Sequence, residues 1–203
     1  MVGNWLSELK QTLADFPPLV KTFLIRALLL FVIWKGLYLF FWSESRTLDD
    51  PLTLLVGKQS AQLLNFFTAS GDFNSKPMVA LKRFEGEIQV SQVAFVSKGT
   101  KPIMNIADEC NGLELFVLYI GFIIAMPTSI KRKLIFGISG ILIIHAVNLL
   151  RCIGLGLLVM HWDQYFDVAH HYIFKIMVYS TIFFLWILFS RKLQLSKVSN
   201  ETV

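Results

Sequence analysis

The chain has 203 residues, of which 55% are apolar and only 16% are charged. Soluble domains have roughly 25% charged residues, so this composition indicates a chain that folds in lipid. The net charge of +5 comes largely from basic residues beside apolar segments, which is typical of a topology signal and argues against a nucleic-acid site.

Residues 1–42 contain a polar segment and the first predicted membrane span. Met1 to Pro18 is mixed and polar, and it lacks the ordered charged, apolar and small-residue regions of a secretory signal. Leu19 to Trp42 is an apolar run of about 24 residues, enough to cross a hydrocarbon layer of roughly 30 Å. We therefore expect a transmembrane helix here and no removable signal peptide.

A more polar insert follows over residues 43–106. After the helix-start signal Asp49-Asp50-Pro51, leucines and phenylalanines recur at helical spacing. This pattern favours an amphipathic helix that lies on the membrane surface or packs on a helical bundle. From Met78 to Val96, residue types alternate around the sequence Glu85-Gly86-Glu87, which predicts a β-hairpin.

Three further spans are predicted in a membrane core over residues 107–190, which a basic tail over residues 191–203 follows. The spans extend from Cys110 to Met126, from Leu134 to about Met160, and from about His171 to Ser190. The sequence thus predicts an all-α multi-pass membrane protein with about four transmembrane helices and a small insert of one helix and a β-hairpin.

Basic residues predict how these helices are oriented. Short segments rich in lysine and arginine remain in the cytoplasm, which places Lys131–Lys133 and the tail from Arg191 inside. With four spans, residues 43–109 then lie outside. Arg151 lies roughly 27 Å of helix rise beyond the cytoplasmic end of its span, so it should approach the outer interface.

This topology brings three reactive side chains to one level of the membrane. Cys110 begins one span at its outer end, Arg151 approaches the outer interface in the next, and His170 and His171 begin the last. A cysteine in the first turn of a helix beside a cation is favoured as the thiolate, which is the nucleophilic form. A histidine can move protons and an arginine can hold a developing negative charge. These residues are therefore a candidate acyl-transfer site.

Each of these residues also has an ordinary structural explanation. Cys110 can be a packing residue, Arg151 can extend its charge to the interface, and histidines are common there. No CxxC motif or histidine cluster accompanies the two cysteines, so no metal or cofactor is expected, but a Cys110–Cys152 disulfide remains an alternative.

Neighbouring polar residues fit either explanation. Asn148 lies on the same helix face as Arg151, and Glu114 on the same face as Cys110. Glu114 is thus a candidate partner for Arg151. Two further carboxylates, Asp108 and Glu109, disfavour a thiolate beside them unless the cations outweigh them.

At these residues the chain resembles the exosortase and archaeosortase family of membrane cysteine transpeptidases, and in particular its compact members. The family pattern has Cys-x-Gly, then Asn-x-x-Arg in a later span, then a histidine that begins the next span. The matching residues, within roughly 105–190, are Cys110 and Gly112 in "ECNG", Asn148 and Arg151 in "NLLR", and His170 in "HHYIF". Many members have serine at the position of Asn111 and glycine at that of Phe174, and the second difference leaves His171 as an alternative to His170.

The resemblance implies a bacterial inner-membrane enzyme that cleaves a C-terminal sorting tail from exported proteins. Cys110 would form a thioester with the substrate, Arg151 would orient the substrate or stabilise the intermediate, and His170 would move the proton. Gly112, Asn148 and Glu114 would support them. An envelope glycan or a membrane lipid would accept the product. The alternative is a non-enzymatic scaffold in which the same polar residues hold helices or a partner together.

Overall fold

The computed structural model describes residues 18–42, 46–69, 71–84 and 87–201. The predicted lack of a signal peptide before Pro18 and the hairpin turn at 85–86 therefore lie outside the described residues. The helices are α1 (Pro18–Leu37, continued by a π-helical turn Tyr38–Trp42), α2 (Asp49–Thr68), α3 (Leu113–Ala125), α4 (Ile130–His161) and α5 (Phe174–Glu201). The strands are β1 (Phe73–Phe84), β2 (Glu87–Lys98) and β3 (Lys101–Ile106).

Among the described residues, three helical segments are long and apolar enough to cross a membrane, namely Lys21–Phe41, Ile130–His161 and Asp163–Arg191. Where the sequence predicts a fourth span, from Cys110 to Met126, the structure has α3, which is apolar but has only 13 residues. Because α3 packs against α1, α4 and α5, it belongs to the same bundle. The predicted class, an all-α membrane protein with a small insert, is confirmed.

Aromatic side chains hold α3, α4 and α5 together at the Arg132 end of α4. Tyr119 is fully buried, and its hydroxyl donates a hydrogen bond to the Phe136 carbonyl over 2.9 Å. Its ring lies against Gly140, where an added Cβ would be 2.2 Å from ring atoms. Arg132 donates a hydrogen bond to the Phe189 carbonyl. We call this end of the bundle the aromatic end.

The insert forms a single cap on the other end of α4, which we call the sheet end. The antiparallel sheet has the order β1-β2-β3. Helix α2 packs on this sheet so closely that a Cβ on Gly57 would be 2.3 Å from the Ala94 Cβ. On its other side, α2 contacts α4, where Gln59 Oε1 lies 2.7 Å from His145 Nε2. The amphipathic helix therefore packs on the bundle.

The third strand, β3, was not predicted from the sequence. It has six residues and includes Pro102, and both features weaken the pattern of alternating residues. It pairs with the end of β2, from Ala94 opposite Ile106 to Lys98 opposite Lys101. Its position matters for the site because β3 leads directly into the segment that carries Cys110.

Candidate active site

Cys110 lies in a short 3-10 turn, Asp108–Cys110, between β3 and α3. The prediction that Cys110 occupies the first turn of a membrane helix is wrong. Gly112 has φ +91°, a left-handed conformation that only glycine adopts readily, and α3 begins after it at Leu113. The field of a helix falls off within its first turn, so the dipole of α3 contributes less at the thiol than the sequence suggests.

Helix α4 contacts Cys110 through two side chains that are one helical turn apart. Nη2 of Arg151 is 3.5 Å from the sulfur of Cys110 and donates a hydrogen bond to it. Nδ2 of Asn148 donates a hydrogen bond to the Cys110 carbonyl over 2.8 Å. Arg151 is 5% exposed, Cys110 is 9% exposed and Asn148 is fully buried. A cation in this position favours the thiolate, the reactive form of a cysteine.

His170 lies in a π-helical segment, Ala169–Ile173, that leads into α5. Such wide turns often occur at functional sites. The His170 ring stacks on Phe166 with centroids 5.6 Å apart and planes 10° apart. Its Nδ1 atom is buried and has no hydrogen-bond partner among the described residues.

His171 has different surroundings. It is exposed, and its Nδ1 lies 3.0 Å from the Asp167 carbonyl oxygen and 3.7 Å from a carboxylate oxygen of the same residue. One ring nitrogen of His171 is thus engaged within its own helix. His170 differs from His171 in that its Nδ1 is buried and has no partner among the described residues, whereas the Nδ1 of His171 has one.

The side chain of Phe174 packs against Gly154 of α4, which has no side chain of its own. The ring of Phe174 lies against Gly154, where an added Cβ would be 2.5 Å from a ring carbon. The phenylalanine that replaces the glycine of the family pattern therefore fills space that Gly154 leaves. This contact fixes the start of α5, and with it the two histidines, against α4.

Most residues of the predicted site line one cavity of about 580 Å³. All of the candidate residues except Asn148 line it, namely Cys110, Gly112, Glu114, Arg151, His170 and His171. Asn148 lies behind the cavity wall, where it holds the Cys110 backbone. In the described part of the chain no ion pair joins Glu114 to Arg151, although both residues line the cavity. The structure therefore groups the thiol, the guanidinium and the imidazole around one space.

Sequence reasoning missed several residues of this site. Lys175 and Tyr179 of α5 also line the cavity, and their helical spacing after His171 was the available signal. Arg46 lies further back, where its Nη2 contacts the Asp108 carboxylate at 2.8 Å. No local pattern indicates Arg46, because its partner is far away in the sequence.

The second cysteine and the metal-binding side chains give no further site. Cys110 and Cys152, which are both described, form no disulfide. Cys152 is 1% exposed and lies in the apolar core between α4 and the insert. Within the described ranges, no group of three histidine, cysteine or carboxylate side chains is placed to hold a metal ion.

One comparison with known proteins finds a match. A family model described as transmembrane exosortase matches residues 20–188. The match includes every candidate site residue, the first two long apolar segments in full and the third as far as residue 188. No curated protein and no solved structure matches the chain.

Proposed function

Because this membrane protein belongs to the transmembrane exosortase family, we propose that it is a cysteine transpeptidase that cleaves the C-terminal sorting tails of exported proteins. The observation that carries the proposal is the contact between Arg151 and the Cys110 sulfur, beside a cavity that His170 also lines. The site faces the extracytoplasmic side of the bacterial inner membrane, since the basic residues Lys131–Lys133 lie at the aromatic end.

In the first step of the proposed reaction, the Cys110 thiolate attacks the carbonyl carbon of the scissile peptide. A carbon–sulfur bond forms, and negative charge develops on the carbonyl oxygen. Arg151 is suited to hold this charge because it lines the cavity and its Nε atom has no partner among the described residues. Donors aimed at such an oxygen are often the largest single contribution to acyl transfer.

In the second step, His170 gives a proton to the leaving amine, the carbon–nitrogen bond breaks and a thioester remains on Cys110. An acceptor amine or hydroxyl then loses its proton to the same histidine and attacks the thioester, which releases the thiolate. We propose an envelope glycan or a membrane lipid as this acceptor. Water in its place would make the enzyme a protease.

A second cavity, of about 390 Å³, supports a route for the substrate from the lipid. It opens between α1 and α3, where Trp34, Tyr38 and Leu118 line it. It shares five lining residues with the first cavity, namely Asp108, Glu109, Glu114, Leu115 and Tyr179. A sorting tail held in the membrane by its own apolar helix can therefore reach the thiol sideways.

The alternative, a non-enzymatic scaffold, has less support. Buried polar networks that hold helices together satisfy their own hydrogen bonds, because an unsatisfied group costs stability. Among the described residues, Asn148 Oδ1, Arg151 Nε and His170 Nδ1 are buried without a partner. Two of these atoms belong to residues that line the cavity, Arg151 and His170, which fits a site that a substrate completes.

The test uses the natural host. Deletion of the gene should leave exported proteins with their C-terminal tails, and the wild-type gene should restore cleavage, whereas Cys110→Ala should not. Mass spectrometry of the C-termini of tailed proteins measures this. If these C-termini are the same with the wild-type gene, with the variant and without the gene, the proposal is wrong.

A separate experiment tests which side of the membrane the site faces. A membrane-impermeant thiol reagent should label Lys101→Cys in intact cells, and should label Lys131→Cys only after the membrane is permeabilised. Both variants carry Cys110→Ser and Cys152→Ser to remove other thiols. Strong labelling at position 131 in intact cells would contradict the proposed orientation.

A further inference from the structure

Arg46, which precedes α2, joins three parts of the chain beside the turn that carries Cys110. Its Nε is 2.8 Å from a carboxylate oxygen of Asp50. Its Nη2 contacts both carboxylate oxygens of Asp108, at 2.9 and 2.8 Å, and lies 3.4 Å from the Gln92 carbonyl. Through these ion pairs and hydrogen bonds, Arg46 connects the insert to Asp108, which lies two residues before the thiol.

The residue after the thiol is held from the same helix. Asn111 is 1% exposed, and its Nδ2 donates hydrogen bonds to Asp49 over 3.0 Å and to the Thr53 hydroxyl over 3.3 Å. Its Oδ1 accepts a hydrogen bond from the Leu113 amide over 2.8 Å. The start of α2 therefore contacts the 3-10 turn on both sides of Cys110.

The backbone of Arg46 provides an independent observation. Its φ is +51°, in the left-handed region that residues with a Cβ rarely occupy. Such conformations persist where the surrounding contacts fix them, and they cluster at functional sites. The ion pairs with Asp50 and Asp108 are the contacts that can fix this one.

Burial and hydrogen bonds act in opposite directions on the two charged groups of this pair. Burial raises the pKa of the Asp108 carboxyl above its ordinary value, although the hydrogen bonds from Arg46 and Thr53 oppose that effect. Burial lowers the pKa of the Arg46 guanidinium, but hydrogen bonds to Asp108 and Asp50 outweigh it and the pKa is raised. The positive charge of Arg46 thus balances the negative charge of Asp108, which lies two residues before the Cys110 thiol.

Resting on the proposed function, we infer that Arg46 is a positioning residue for Cys110. It neutralises Asp108, so that this carboxylate does not oppose the thiolate, and it holds the turn so that the sulfur faces Arg151. Its side chain acts through Asp108 and does not touch the substrate.

The other ionisable groups around the thiol come from five parts of the chain. Its own segment and α3 contribute Glu109 and Glu114, and α2 contributes Asp49. Helix α4 contributes Arg151 and Cys152, and the segment from the π turn into α5 contributes His170, His171, Lys175 and Tyr179. None of these is changed in the variants below except Cys152, so a change in thiol reactivity is assigned to the Arg46–Asp108 pair.

The experiment measures how fast iodoacetamide alkylates Cys110 in membranes as a function of pH, in a Cys152→Ala background. In Arg46→Gln the midpoint of the pH profile should move up by about one unit, which slows alkylation roughly tenfold at neutral pH. In Asp108→Asn the midpoint should move down. The double variant should lie near the wild type, and Arg46→Lys should lie between the wild type and Arg46→Gln. Lys58→Gln, on the exposed face of α2, is the matched control and should change nothing.

Two results would overturn the inference. One is an unchanged midpoint in Arg46→Gln, and the other is a double variant as slow as Arg46→Gln alone. If Arg46→Gln does not accumulate, the double variant decides, because the proposed role predicts that its midpoint returns from that of Asp108→Asn to near the wild type, and a double variant that stays as low as Asp108→Asn would overturn the inference. Tail cleavage is measured in parallel. If the thiol responds as expected but no tail is cut, the proposed function is wrong while the role of Arg46 toward the thiol stands.

Discussion

The two arginines of α4 lie toward opposite ends of the bundle and have opposite surroundings. The Arg132 guanidinium lies over two aromatic rings, 5.6 Å from the Phe136 centroid and 5.1 Å from that of Phe189. Arg151 lies beside a thiol and lines a cavity. Both have an Nε without a partner among the described residues. The comparison shows that a charged side chain with a buried, unpartnered atom in a membrane helix does not identify a site, whereas the reactive groups and the space around it do.

The largest expected effect is the loss of tail cleavage when the Cys110 thiol at the sheet end is removed. Cys110→Ala should abolish tail cleavage, since no other thiol lines the cavity within the described residues. Cys152→Ala should change cleavage little, because Cys152 is a packing residue of the apolar core. Cleavage is measured in membranes and normalised to inserted protein. Equal loss in both variants would point to a structural role that the two thiols share.

The next effect separates the two histidines. His170→Gln should lower turnover by about 10² to 10⁴, the usual contribution of general acid–base catalysis, because His170 lines the cavity with a ring nitrogen that has no partner in the described structure. His171→Gln should lower it only a few-fold, since His171 is engaged with Asp167. Single-turnover cleavage across a pH series measures both. The reverse order would assign the proton transfer to His171.

The third effect sharpens the comparison of the two arginines directly. Arg151→Lys keeps a positive charge but loses the planar group that can donate several hydrogen bonds, so turnover should fall by about 10² to 10³. Arg132→Lys, the matched control on the same helix, should leave turnover per inserted molecule nearly unchanged. Near-normal cleavage by Arg151→Lys would contradict its role in the reaction. Loss of the Arg151→Lys protein from the membrane would favour the scaffold.

The smallest effect on activity is expected at the aromatic end. Gly140→Ala places a Cβ 2.2 Å from the Tyr119 ring, and such overpacking typically costs about 1 to 3 kcal/mol. Thermal unfolding in detergent should shift to lower temperature, while cleavage per folded molecule persists. Gly121→Ala is the control, because a Cβ there meets nothing within 4 Å. A large loss of turnover in folded Gly140→Ala would show that the two ends are coupled.

The sequence predicts those features of this molecule that depend on local pattern. The long apolar runs and the acidic start of α2 at Asp49 were predicted from composition and spacing, and both are present. The grouping of Cys110, Arg151 and His170 was predicted because helix length fixes depth: Cys110 and His170 lie near the ends of apolar segments, and Arg151 lies roughly 27 Å of helix rise beyond the cytoplasmic end of its span.

The rest depends on contacts between distant residues. The start of α3 at Leu113 follows from the left-handed conformation of Gly112, which periodicity does not reveal. The pairing of β3 depends on β2, and its own six residues carry little signal. The contact between Arg46 and Asp108 joins a connecting segment to a turn across the whole insert, and no spacing rule predicts such a pair.

The shortness of α3 has a consequence for the lipid around it. At 1.5 Å per residue, 13 residues extend about 20 Å, roughly 10 Å less than a typical hydrocarbon layer. A short hydrophobic segment is accommodated by local thinning of the bilayer, so the membrane next to α3 must be compressed or replaced by polar groups. The helix that follows the thiol is therefore the one with a hydrophobic mismatch. The thickness of the bilayer should then influence the depth at which Cys110 lies.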